Sequence, residues 1–263
     1  MSTVRSSDGT TIAFDRVGDG PPVIVVGGAM SDRAAVAPLA AILAPRFTVF
    51  AYDRRGRGDS GDTPPYAVAR EVEDLAALID EAGGSAFAFG HSSGAALALE
   101  AAVRGLPLAK LALYEPPFIV DESRPPVPDD YVARLDELTA AGRRGDAVEY
   151  FMTVAVGLPR DAAAELRNAP MWPAMERLAH TIAYDGAVMG GNLSGKPLPR
   201  EWATSVTVPT LVLDGERSEP WQHNAVQALA DLLPAARRLT LAGQDHGAAP
   251  EVLAPVLEEF FAQ

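Results

Sequence analysis

The sequence contains no cysteine. This absence excludes disulfide bonds, a thiolate nucleophile and metal sites built on cysteine. No apolar run approaches the roughly 20 residues that a membrane-spanning helix needs, and residues 1–8 lack the apolar segment of a secretory signal. Together these absences predict a protein of the cytoplasm that has no membrane partner.

Basic residues are outnumbered, with 22 lysines and arginines against 35 aspartates and glutamates and a formal net charge of -13. Such a charge disfavours nucleic acid and anionic membranes as partners. The four histidines show no metal-ligand spacing, and no Gly-x-Gly-x-x-Gly motif follows a predicted strand. We therefore expect no metal, no cofactor and no nucleic acid, but a small-molecule partner for a monomer or homodimer.

Apolar runs that are typical of buried strands alternate with helical patterns along much of the chain. Val23–Val26 is a continuous run of β-branched residues, which fits a central strand covered on both faces. This alternation predicts an α/β fold with a mostly parallel, doubly wound sheet. The eight predicted strands are 3–6, 11–17, 23–26, 48–53, 85–89, 111–114, 210–213 and 237–241.

The alternation stops after Pro117, and the next clear strand begins only at Thr210. Because this gap is too long for a plain crossover loop, we predict a helical cap at 118–204, inserted into a core domain formed by 1–117 and 205–263. Methionine and tryptophan side chains suit a pocket for an apolar ligand, although packing of the cap against the core is the other interpretation. The predicted pocket residues are Gly28, Met30, Met152, Trp172 and Met175.

The pentapeptide Gly90-His91-Ser92-Ser93-Gly94 stands between a predicted buried strand and a predicted helix. A tight turn there would hold the Ser92 hydroxyl clear of the backbone, with Ser92 in a strained left-handed conformation. The Ser93 N–H would lie at the helix N-terminus, where it can stabilise an oxyanion. An ordinary Gly/Ser turn is the other interpretation of the same motif.

Over nearly its whole length the chain resembles the α/β hydrolases that carry a helical cap. The resemblance rests on a glycine pair after the third strand, Asp53–Ser60 after the fourth, the Ser92 turn after the fifth, and His246 before the last helix. It implies the α/β-hydrolase fold, with Ser92 as the nucleophile and His246 as the general base.

The resemblance also implies an oxyanion hole. Many members of the family carry His-Gly after the third strand, where this chain has Gly27-Gly28. The residue that follows this pair supplies one N–H donor in the family, which corresponds to Ala29 here. The residue after the nucleophile, Ser93, supplies the other donor.

The catalytic acid departs from the usual family pattern, which places an aspartate shortly after the seventh strand. Ser218 occupies that place, and the next helix is predicted only from about Asn224. In some subfamilies the acid follows the sixth strand, as it does in zearalenone-type lactone hydrolases, and Glu115 stands there. The resemblance therefore implies that Glu115 orients His246. The alternative acids are Asp214, Glu216 and Glu219.

Two other features are expected to be structural. His91 occupies the variable place of the pentapeptide and is expected to pack behind the nucleophile. The arginine-rich run Arg54–Arg57 could bind an anion, but we expect a structural loop with Asp53 and Asp59 as its salt-bridge partners.

The resemblance implies a serine hydrolase that cleaves a carboxylic ester or lactone through an acyl-enzyme. The apolar cap, which lacks a cluster of cations in the sequence, predicts an uncharged or weakly polar substrate. The same fold hosts many chemistries. Because the usual acid is replaced by Ser218, a non-hydrolytic relative such as a cyclase, a lyase or a ligand-binding protein stays open as the alternative.

Overall fold

The computed structural model describes residues 1–263, and eight strands form a single sheet. Each strand predicted from the sequence is present, which confirms the expected fold class. The strands are β1 (Ser2–Arg5), β2 (Thr11–Val17), β3 (Pro22–Val26), β4 (Thr48–Tyr52), β5 (Ala86–His91), β6 (Leu108–Tyr114), β7 (Thr210–Gly215) and β8 (Ala236–Leu241).

The sheet is mostly parallel. β1 pairs with β2 and β2 pairs with β4 in antiparallel register, whereas the other five neighbouring pairs are parallel. The order across the sheet is β1-β2-β4-β3-β5-β6-β7-β8. Because parallel strands end at the same edge of a sheet, the segments that follow β3, β5, β6 and β8 lie along one crevice.

Eleven α-helices surround the sheet, and a π-helical turn follows the fifth of them. The helices are α1 (Arg33–Leu43), α2 (Val68–Glu81), α3 (Ser93–Val103), α4 (Tyr131–Ala140), α5 (Arg144–Tyr150), α6 (Arg160–Leu166), α7 (Trp172–Leu178), α8 (Ile182–Met189), α9 (Trp202–Ser205), α10 (Pro220–Leu232) and α11 (Pro250–Ala262), and the π-helical turn is Phe151–Val156.

Apolar side chains pack on both faces of the sheet. Residues of α1 and α11 cover one face, and residues of α2, α3 and α10 cover the other. Val23–Val26 is completely buried between these layers, which explains its unbroken run of apolar residues. α3 is buried at every position except Glu100 and Val103, so the helix after the Ser92 turn runs through the interior.

The chain between β6 and β7, residues 115–209, is the helical insertion. Its helices pack around a third apolar cluster that includes Leu135 and Ile182. Other side chains of the insertion, including Phe118 and Trp202, belong to the large cluster of the sheet. Because the insertion shares its buried residues with the sheet, the division of the chain at residues 118 and 204 stays a prediction.

The arginine-rich loop after β4 is buried, so its arginines do not form an exposed anion site. Arg54, Arg55 and Arg57 are each at most 2% exposed. The expected partners were wrong, because Asp53 and Asp59 bind Arg33 at the start of α1. Since the loop turns inward, its arginines contact carboxylates of other elements. Arg54 pairs with Glu71 and Asp185, Arg55 with Asp8 and Asp74, and Arg57 with Asp185.

Strand β5 and helix α3 approach so closely that no side chain fits between them. A Cβ atom built on Gly94 would lie 2.2 Å from the Val26 carbonyl oxygen, and one built on Gly90 would lie 2.4 Å from the Gly94 carbonyl oxygen. Both neighbours are backbone atoms, which cannot move aside as a flexible side chain would. The turn therefore depends on glycine for close packing.

We predict that Gly94→Ala lowers the free energy of unfolding by about 1–3 kcal/mol, because the added methyl group forces the helix away from β3. The matched control is Gly191→Ala, where a Cβ atom would meet nothing within 4 Å. Its effect should stay within about 0.5 kcal/mol. Urea unfolding measures both variants, and equal midpoints for the two would contradict the packing argument.

Candidate active site

Ser92 lies in the sharp turn between β5 and α3, with φ 55° and ψ -124°. The positive φ agrees with the strain expected from the sequence, although ψ places the residue outside the left-handed helical region. The Ser92 N–H donates to the Tyr114 carbonyl oxygen at 2.9 Å, which ties the turn to the end of β6. The strained conformation is therefore held in part by the neighbouring strand β6.

Three side chains from different loops form a continuous chain of contacts. The Ser92 Oγ lies 3.0 Å from His246 Nε2, and His246 Nδ1 lies 2.6 Å from Glu115 Oε2. Ser92 follows β5, Glu115 follows β6, and His246 lies in the loop between β8 and α11. The sheet thus brings together the three residues that sequence reasoning had grouped. With a proton on Nδ1, the imidazole donates to Glu115 and leaves Nε2 free to accept from the Ser92 hydroxyl.

Glu115 is fully buried and takes a positive φ of 45°. Burial alone would raise the pKa of this carboxyl group. The hydrogen bonds that it accepts from His246, the Gly215 N–H and the Ser218 hydroxyl outweigh burial and hold the pKa below its ordinary value. Ser218, which stands where the family usually has its acid, therefore supports the carboxylate that contacts His246.

The three alternative acids have other partners. Asp214 accepts hydrogen bonds from Arg238 and from the Thr240 hydroxyl, and it lies 2.6 Å from the His223 ring nitrogen. Glu216 accepts from the Gly243 N–H at 2.7 Å. Glu219 is exposed at the start of α10. None of the three forms a hydrogen bond with His246.

Sequence reasoning missed Gln222, a buried residue beside the same carboxylate. Its Nε2 atom donates to Glu115 Oε2 at 2.9 Å, and its Oε1 atom accepts from the Glu219 N–H at 3.1 Å. The helix that carries it, α10, begins at Pro220 and not near Asn224 as predicted. Proline is favoured at the first position of a helix, so the proline itself was the signal that could have placed Gln222 near the site.

Ala29 and Ser93 line the same cavity as Ser92, and neither backbone N–H donates a hydrogen bond to another protein group. The carbonyl oxygen of Gly28 accepts from Arg57 Nη1 at 2.6 Å and from the Ser31 hydroxyl at 2.7 Å. In a trans peptide the C=O and the next N–H point in opposite directions. Arg57 therefore holds the peptide so that the Ala29 N–H points away from Arg57.

His91 lies beside His246 and lines the cavity together with Ser92. Its Nε2 atom lies 2.7 Å from the His246 carbonyl oxygen. Burial, aided by the neighbouring His246, lowers the pKa of His91 to about 4. His91 is therefore neutral near pH 7 and supports the loop without adding charge to the site.

A cavity of about 330 Å³ opens beside Ser92, between the sheet and the helical insertion. Of the predicted pocket residues, Gly28 lines this cavity and the other four do not. Trp172 is buried inside the insertion, and Met30, Met152 and Met175 pack against the same apolar cluster. This part of the prediction was wrong because residue type alone does not reveal which apolar side chains face the cavity and which face the interior of the insertion.

Other residues of the insertion line the cavity, and one of them is a cation. Val127, Tyr131 and Phe151 supply apolar surface, while Arg124 supplies a guanidinium group. The sequence analysis expected no cluster of cations in the cap, and it did not consider that a single arginine, Arg124, would line the cavity. No group of three or more His, Cys, Asp or Glu side chains is placed to hold a metal ion, and no helix is long and apolar enough to cross a membrane.

Comparisons of the sequence with known proteins agree with this arrangement. The family model for the alpha/beta hydrolase family matches residues 10–256. The chain is 31% identical over 260 residues to a pimeloyl-[acyl-carrier protein] methyl ester esterase of Stenotrophomonas maltophilia, covering 95% of this chain and 96% of the relative. Both matches extend across the sheet and the helical insertion.

Solved structures share the fold. An alpha/beta hydrolase from Sphaerobacter thermophilus is 62% identical, with a TM-score of 0.92 over 99% of this chain and 100% of that one. The enol-lactonase of Burkholderia xenovorans is 22% identical, with a TM-score of 0.72 and complete coverage of both chains. The narrower likeness to zearalenone-type lactone hydrolases is not confirmed by these relatives. Because the family model matches almost the whole length of this chain, the chain belongs to the alpha/beta hydrolase family.

Proposed function

We propose that this protein is a serine hydrolase that cleaves a carboxylic ester or lactone through an acyl-enzyme on Ser92. The observation that carries the proposal is the chain of contacts from Ser92 Oγ to His246 and on to Glu115, at 3.0 and 2.6 Å. Ser92 lines a cavity that is large enough for a small ligand. Membership of a hydrolase family and the esterase relative support the same reaction class.

In the proposed reaction, Ser92 Oγ attacks the substrate carbonyl carbon while its proton passes to His246 Nε2. The N–H groups of Ala29 and Ser93 bind the negative oxygen of the tetrahedral intermediate. As the carbon–oxygen bond breaks, Nε2 returns the proton to the leaving alcohol, which stays attached to the acyl chain if the substrate is a lactone. Water, deprotonated by His246, then releases the acid and regenerates Ser92.

Glu115 has the properties that this reaction needs from its acid. Because hydrogen bonds keep its pKa low, the carboxylate stays ionised while His246 becomes protonated during catalysis. Gln222 donates to the same Oε2 atom and so fixes the carboxylate in place. The contact between Glu115 and His246 supports hydrolysis over the non-hydrolytic alternative, which depends on the absence of the usual acid.

We predict that a fluorophosphonate forms one adduct with the wild-type protein and none with Ser92→Ala, as measured by intact mass. Glu115→Gln should slow labelling by roughly 10³–10⁴-fold, because His246 loses the partner that holds its reactive tautomer.

The matched control for this experiment is Glu216→Gln, which neutralises an alternative acid that lies away from His246 and should label like the wild type. Fast labelling of Glu115→Gln together with slow labelling of Glu216→Gln would refute the assignment of the acid. Failure of the wild type to react at all would refute the nucleophile.

We predict that Arg57→Lys lowers kcat for a p-nitrophenyl ester by roughly tenfold to hundredfold, with little change in KM. Lysine keeps the charge beside Asp185 but cannot reach Gly28 and Asp185 in the same planar geometry, so the Ala29 N–H loses its alignment with the oxyanion. Arg33→Lys is the control, because Arg33 binds Asp53 and Asp59 and does not contact Gly28. An unchanged kcat in a destabilised Arg57→Lys protein would show that Arg57 serves stability alone.

A further inference from the structure

Arg124 is a cation inside the candidate active site that has no acidic partner. It lies in the loop between β6 and α4, is half-buried, and lines the cavity together with Ser92. No carboxylate lies within salt-bridge distance of its guanidinium group. The one hydrogen bond that it makes is a long one, from Nη2 to the Val154 carbonyl oxygen at 3.3 Å. Most of its five N–H donors are therefore free.

The fully buried arginines of this protein, unlike Arg124, all have acidic partners. Arg54, Arg55 and Arg57 each contact at least one buried carboxylate. For Arg124, burial lowers the pKa and no acidic neighbour opposes the effect. The group stays charged at neutral pH because arginine starts from a very high pKa. The cavity thus contains a positive charge that the protein itself does not neutralise.

Trp221 holds this cation in place. The central carbon of the Arg124 guanidinium lies 4.5 Å from the centre of the Trp221 ring, and both side chains line the cavity. Stacking on the face of an aromatic ring stabilises the cation and leaves the N–H groups at the edge of the guanidinium plane free to donate. Stacking on Trp221 therefore fixes the direction of the Arg124 N–H donors, which would otherwise move with a flexible side chain.

The acidic groups of the cavity do not compete for Arg124. Asp185 binds Arg54, Arg57 and the Ser93 hydroxyl. Glu219 is exposed and does not pair with Arg124. Because the nearby lining is otherwise largely apolar, a ligand with a single negative charge and a hydrocarbon chain matches the cavity, whereas a doubly charged phosphate would find only one cation.

We propose that Arg124 binds a free carboxylate of the substrate, so that this enzyme prefers esters or lactones that carry a second, ionised carboxyl group. The inference rests on the proposed hydrolysis at Ser92 and narrows it to an anionic substrate class. It replaces the uncharged substrate expected from the sequence. A carboxylate fits the planar fork of a guanidinium with two parallel hydrogen bonds, while the hydrocarbon chain lies against Val127 and Phe151.

The test compares two p-nitrophenyl esters of equal chain length. One is mono-p-nitrophenyl adipate, whose acyl chain ends in a carboxylate, and the other is p-nitrophenyl hexanoate, whose chain ends in a methyl group. The readout is the ratio of their kcat/KM values, which cancels any loss of folded protein. The wild-type ratio should exceed about ten, because hydrogen bonds to charged groups are the stronger kind.

Variants locate the source of the preference. Arg124→Met should reduce the ratio by about tenfold or more, and Arg124→Lys should keep part of it, because lysine retains the charge but not the fork. The matched control is Arg160→Met, which removes a charge from an exposed arginine that does not line the cavity. Its ratio should equal that of the wild type.

The outcomes separate the two proposals. Hydrolysis of hexanoate by the wild type with a ratio at or below one, or a preference for adipate that survives in Arg124→Met, would overturn the role of Arg124 and leave hydrolysis at Ser92 intact. Rates for both esters that do not exceed those of Ser92→Ala would overturn both proposals. A second measurement needs no variant: hexanoate, which carries a carboxylate, should protect the wild-type protein from fluorophosphonate labelling at lower concentration than hexanamide, which is uncharged. Equal protection by the two would overturn the carboxylate site.

Discussion

A single buried carboxylate, Asp185, joins the helical insertion to the sheet. It contacts Arg54 and Arg57 from the loop after β4, and it accepts from the Ser93 hydroxyl at the start of α3. Arg57 continues to the Gly28 carbonyl oxygen. One network therefore connects the turn that carries Ser92, the loop that carries the Ala29 N–H, and helix α8 of the insertion. A buried ion pair is costly to dehydrate and damaging to break, so these parts are held in one arrangement.

Backbone strain is concentrated at the strand ends that carry the candidate active site. The three residues other than glycine with positive φ are Met30, Ser92 and Glu115. Each follows the end of a parallel strand, where the chain has to turn sharply. Such conformations cost about 1–3 kcal/mol each and persist only where the surrounding contacts enforce them. The close packing of Gly94 against the backbone of Val26 is one such contact, and the hydrogen bond from the Gly215 N–H to Glu115 is another.

The sheet, the Ser92 turn and the position of His246 could be predicted because they depend on local patterns. Buried strands are apolar runs, and the glycines of the turn follow from backbone sterics. The family resemblance added Glu115. By contrast, Met152 and Trp172 were assigned to the pocket wrongly, because the direction of a helix face is set by its packing partners. Arg124 was missed for a different reason. It is a single arginine in a loop, and its lack of an acidic partner becomes visible only in three dimensions.

The contacts of Asp185 also fix one side of the cavity wall. Lifting α8 away from the sheet would leave the Arg57 guanidinium without its counter-charge and Arg54 with Glu71 alone. Breaking a buried ion pair costs about 3–5 kcal/mol. Another part of the cavity wall, the π-helical turn Phe151–Val156, carries no such constraint: none of its residues is fully buried, and Val156 is 47% exposed. The ion pairs of Asp185 therefore fix the α8 side of the cavity wall, whereas no buried ion pair fixes the π-helical side.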